Sequence, residues 1–138
     1  MSDNVYLGNP NLKKANTPIE FTEENVIEFV KCKNNPVYFA RKYIKIVSLD
    51  EGLVPFNMYD FQEKLIDRFH KNRFNICKMP RQTGKSTTCI SYLLHYAVFN
   101  DNVNIAVLAN KASTARDLLG RLQPVSYTHL TLPTSSQV

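Results

Sequence analysis

The run Met79-Pro80-Arg81-Gln82-Thr83-Gly84-Lys85-Ser86-Thr87-Thr88 holds the residue types in this chain whose spacing best suits chemistry. Gly84 lets the backbone turn tightly and approach a ligand with no β-carbon in the way. A helix opening at Lys85 would add unpaired N–H donors and the positive end of its dipole, and both favour phosphate oxygens. Lys85 supplies a mobile positive charge for β/γ oxygens, and the Ser86 hydroxyl is placed to ligate magnesium. Residues 80–87 therefore read as a phosphate-binding loop, although Met79 stands where the pattern GxxxxGK(S/T) has its first glycine. The other reading is an ordinary basic loop capped by Gly84.

Such a loop needs a strand before it and a helix after it. Residues 74–79 read as a short buried strand, and Ile90, Leu93, Leu94, Ala97 and Val98 recur at helical spacing beyond the loop. A turn at Asp101-Asn102 leads to a second apolar run at 103–109. A strand, helix and strand of this length most economically form a right-handed parallel unit. The expected fold class is α/β, an incomplete P-loop NTPase with a RecA-like parallel sheet, preceded by a small helical lid-like region with a short hairpin.

The other elements follow from caps and periodicity. Thr22 suits the N-cap of a helix over 23–33 with Val26, Ile27, Phe29 and Val30 as its apolar face. Asn35 and Pro36 start a second helix reaching Tyr43. The runs 44–49 and 53–56 flank Asp50-Glu51-Gly52 in the pattern of a hairpin. Further helices are expected over 59–71, with Phe61, Leu65, Ile66 and Phe69 on one face, and over 110–122. Residues 1–20 read as an extended or poorly ordered arm.

The 138 residues suggest one domain at most, and 43% hydrophobic with 21% charged residues is an ordinary globular balance. No stretch has the apolar length of a membrane span, and the polar start Met-Ser-Asp-Asn-Val-Tyr is unlike a secretory leader, so no membrane partner is expected. The net charge of +5 suits a polyanion such as nucleic acid, but the basic residues are scattered. Cys32, Cys77 and Cys89 lack metal-ligand spacing and read as buried thiols of a reducing compartment.

From Val125 the composition changes to a Ser/Thr-rich run with no Asp, Glu, Lys, Arg or glycine. Over Val125 to Thr134 it resembles the translation of a transposase-type sequencing-library adapter. Residues 125–138 are accordingly expected to be a non-native tail that follows a partial N-terminal domain over 21–124.

Residues 25–123 resemble the start of the ATPase domain in large terminase subunits of tailed bacteriophages, of the contractile-tailed type. The resemblance rests on Asn35-Pro36 with Tyr38-Phe39-Ala40, the Gly52 turn, Tyr59-Asp60-Phe61-Gln62, the loop Pro80 to Ser86, and Leu108-Ala109-Asn110-Lys111. That family's loop commonly reads (S/P)RQxGK(S/T), without the first glycine. The resemblance implies ATP hydrolysis with Mg²⁺, driving double-stranded viral DNA through the portal protein into a procapsid. It implies a homo-oligomeric ring on the portal, a small terminase subunit as partner, and a host-cytoplasmic enzyme docked transiently at the portal vertex. By position, Lys85 would bind the β/γ phosphates, Ser86 the metal, Arg81 the γ-phosphate as a catalytic residue, and Gln62 the adenine. Pro80, Gln82, Thr83, Gly84 and Thr87 would complete the nucleotide contacts. The family's Walker B acids, coupling motif and nuclease carboxylates have no counterpart here, so the chain by itself is expected to be an inactive part of an ATPase and endonuclease. Two alternatives stand beside this reading: a superfamily 2 helicase or helicase-like restriction motor, and a non-catalytic nucleotide- or DNA-binding module.

Overall fold

A computed structural model describes residues 5–6, 9–13, 22–48 and 50–129, with side chains described at 22–47 and 50–121. In the segment expected as an arm, β1 (Val5–Tyr6) and β2 (Asn9–Lys13) pair antiparallel. Helix α1 (Glu23–Asn34) begins where Thr22 Oγ1 accepts the Asn25 N–H at 3.3 Å, with Glu23 and Glu24 at its positive end. Asn35 both ends α1 and starts α2 (Pro36–Tyr43): its N–H donates to the Lys31 carbonyl, and its Oδ1 accepts the Tyr38 N–H at 3.0 Å. Pro36 occupies the first helical position, where its missing N–H costs no hydrogen bond.

Strands β3 (Lys45–Ser48) and β4 (Gly52–Pro55) form the expected hairpin, in register Ile46 to Val54 and Val47 to Leu53. Gly52 has a φ of 73°, a left-handed conformation that glycine takes without strain. Helices α3 (Asp60–Lys71), α4 (Lys85–Phe99) and α5 (Ala112–His129) follow. No helix among the described residues is long and apolar enough to cross a membrane.

The core lies where α1 to α4 meet, around the buried Cys32, Phe39, Ile66, Leu94 and Phe99. Phe39 stands edge-on to both Phe99 and His95, with ring centroids 5.3 Å away in each case. Beside this core the Glu28 carboxylate joins α1 to α2. It accepts hydrogen bonds from Lys42 Nζ at 2.7 Å, Tyr43 OH at 2.8 Å and Tyr38 OH at 3.1 Å. Lys42 first, and then the two phenols, outweigh partial burial and hold the carboxyl at about 2.

The mixed helix-and-sheet class is as expected, the parallel sheet is not shown, and several residue-level expectations differ. Neither 74–79 nor 103–109 is a strand; the described sheets are two antiparallel pairs, and no parallel sheet is formed among the described residues. A strand exists through its ladder partner, and these segments have none. Phe74, Ile76 and Leu108 stand 83%, 101% and 88% exposed, and Cys77 is exposed where burial was expected. Helix α1 turns Phe29 and Cys32 to the core and leaves Val26, Ile27 and Val30 exposed, because α2 and α4 pack on the former side. Helix α5 runs past the expected boundary at 122, through Pro124 to His129, while 130–138 lie outside the described residues.

Candidate functional site

The loop joins 74–79 to α4 and is set by its own backbone. Gly84 is the N-cap of α4, with φ 71° and ψ 18°. Its carbonyl accepts both the N–H and the Oγ1–H of Thr88, each at 2.9 Å, and Thr88 is fully buried. The loop is therefore pinned to the helix core one turn in. Gln82 also has a positive φ, 61°, which costs a non-glycine residue about 1–2 kcal/mol. Left-handed residues between right-handed neighbours turn successive N–H groups toward one side, the geometry of an anion-binding concavity. Strain of this kind collects at functional sites, and no residue-type signal marked it in advance.

Lys85 Nζ donates to the Met79 carbonyl at 2.8 Å, so the ammonium reaches back across the loop from the first residue of α4. Thr83 Oγ1 donates to the Pro80 carbonyl at 3.1 Å and closes the turn from within. Ser86 and Thr87 are half-buried in the first turn of α4. Arg81 is exposed and makes no ion pair among the described residues. Burial pushes the Cys89 thiol up, so it stays neutral and adds no negative charge to this end of α4.

Gln62 changes character most between sequence and structure. A glutamine in the first turn of a helix is ordinarily solvated, yet Gln62 is 4% exposed. Its Oε1 accepts the Tyr59 N–H at 2.9 Å, capping α3, and its Nε2 packs against the Cα face of Gly84. The amide thus sits against the Gly84 turn, with its Nε2 hydrogens and one Oε1 lone pair making no hydrogen bond among the described residues. No known protein-family model matches the chain.

Next to Gln62 the rings of Tyr59 and Phe61 stack at 5.7 Å with planes 8° apart, and Tyr59 is 69% exposed. Phe61 also lines a cavity of about 730 Å³ between α3 and 74–79, together with Leu65, Arg68, Phe74 and Met79. The sequence names Tyr59 within the stretch Tyr59-Asp60-Phe61-Gln62 but gives a ligand role to Gln62 alone.

A magnesium ion fits these residues in one way. No group of three or more His, Cys, Asp or Glu side chains that could hold a metal exists among the described residues. Ser86 would therefore be one ligand, with phosphate oxygens and water supplying the rest, which is how magnesium usually binds beside a nucleotide.

Proposed function

We propose that this chain is the nucleotide-binding part of a DNA-packaging ATPase of the tailed-phage large terminase type, taking ATP with Mg²⁺. The observation that supports this best is the contact of the buried Gln62 amide with Gly84, since an amide suited to a base edge and a turn suited to phosphate then adjoin. Lys85 would leave the Met79 carbonyl for the β/γ phosphates, and the N–H groups around Gly84 would take the remaining oxygens. Arg81, exposed at the loop, would stabilise charge on the transferring phosphoryl group. The exposed Tyr59–Phe61 stack would offer an aromatic face to the base.

In this reading the fold is a P-loop NTPase in which 74–79 and 103–109, unpaired in this chain, would join a parallel sheet only with the rest of the ATPase, and the exposed apolar side chains of Phe74, Ile76 and Leu108 leave surface for that packing. The proposed partners are double-stranded viral DNA, the portal protein, the small terminase subunit and further copies of the chain in a ring. Fluorescence titration with a labelled ATP analogue and magnesium tests the first step. Saturable binding that falls at least about tenfold in Lys85→Ala is expected, since the loop lysine binds the phosphates directly. Unchanged affinity in that variant would overturn the proposal.

A further inference from the structure

The C-terminal ends of α1, α3 and α4 meet around a second cavity of about 280 Å³. It lies along the C-terminal half of α4, beginning at Tyr92 about 10 Å from Lys85 in a helix of 15 residues. Its walls are mostly rings: Tyr92, His95, Tyr96 and Phe99 of α4 and His70 of α3, with Lys33 at the rim. Tyr92 and His95 lie nearly parallel at 6.2 Å, and His70 stands edge-on to His95 at 6.1 Å.

His95 Nε2 is 2.9 Å from the Cys32 carbonyl. A carbonyl only accepts, so Nε2 carries the proton and Nδ1 of the neutral ring is an acceptor. Burial lowers the His95 pKa and keeps the ring neutral. His95 is 3% exposed, and its Nδ1 is the one buried side-chain nitrogen or oxygen among the described residues without a hydrogen-bond partner. Buried acceptors are nearly always paired, so a partnerless one beside a cavity points to a donor arriving from outside the chain.

We propose that this cavity binds a small neutral aromatic molecule bearing one O–H or N–H donor. The ring packs among Tyr92, Tyr96 and Phe99, and the donor reaches His95 Nδ1. Lys33 at the cavity opposes a cation, while the carbonyl ends of three helices oppose an anion. No cluster of metal-ligating groups among the described residues offers an alternative occupant. Nδ1 is closed to solvent, so a donor reaches it only when a side chain packed over it moves.

Phenol, and anisole as the same ring without a donor, test this on the full chain by nitrogen-detected NMR of the histidine rings. Phenol is expected to bind saturably, to move the His95 Nδ1 resonance, and to bind at least about tenfold tighter than anisole because only it satisfies the acceptor. In His95→Phe the preference for phenol should vanish while the apolar site remains. Equal binding of the two probes, an unmoved Nδ1 resonance, or tighter binding of benzylammonium or benzoate than of phenol would each overturn the assignment. The wild-type comparison decides even if His95→Phe does not fold.

Discussion

The Nε2 atom of Gln62 lies 2.5 Å from where a β-carbon on Gly84 would sit. Gly84 is therefore constrained twice, by its positive φ and by the amide packed on it. Gly84→Ala should lower stability by about 1–3 kcal/mol and abolish the proposed nucleotide binding, since the strained turn and the displaced Gln62 both disrupt the loop. Adding Gln62→Ala should recover part of the stability by relieving the clash, leaving the cost of the left-handed alanine. Thermal melts of the two single variants and the double variant measure this. Strictly additive losses would show that the two residues do not touch.

Lys85 should matter little to folding and much to the proposed nucleotide binding. Its ammonium makes one described hydrogen bond, to a carbonyl of the loop, so Lys85→Ala should cost no more than about 1.5 kcal/mol of stability. Its effect on affinity should be far larger in proportion, as the titration above reads. A chemical-denaturation midpoint that collapses in this variant would mean that the lysine is structural.

Glu28 makes stability depend on acid. Its folded pKa of about 2 lies below the ordinary value of 4.5. A depressed carboxyl contributes stability that is present above the unfolded value and is lost as pH falls through the folded one. Glu28→Gln should therefore be less stable than wild type at neutral pH, by about 1–2 kcal/mol once solvent screening is allowed for. The gap should close between pH 4.5 and 2. Melting curves across that window check it, and a gap independent of pH would remove the ionic explanation.

Ile66 is fully buried between α3 and the rest of the core. Ile66→Ala should cost about 2–5 kcal/mol, whereas Ile76→Ala, at a fully exposed position, should change stability by less than about 0.5 kcal/mol. Comparable losses at the two sites in denaturant titrations would show that 74–79 is packed in solution.

What could be read from the sequence was local. The Thr22 cap, the shared cap at Asn35 with Pro36 behind it, the hairpin turn at Gly52 and the glycine that opens α4 each depend on atoms within about four residues of one another. Residue types at those spacings determine such features before any long-range contact forms. The helices over 23–34, 36–43, 60–71 and 85–99 followed from the same short-range rules.

Tertiary structure decided everything that depends on which surfaces meet. Gln62 became a buried amide because α3 packs beside α4 at the loop, and Glu28 became an ionic hub because α2 brings Tyr38, Lys42 and Tyr43 to it. The segments 74–79 and 103–109 have the residues of buried strands, yet lie unpaired and partly exposed. A helix satisfies its own backbone within each turn, so its sequence suffices to specify it. A strand satisfies its backbone only through a neighbour, and that neighbour is set by the fold.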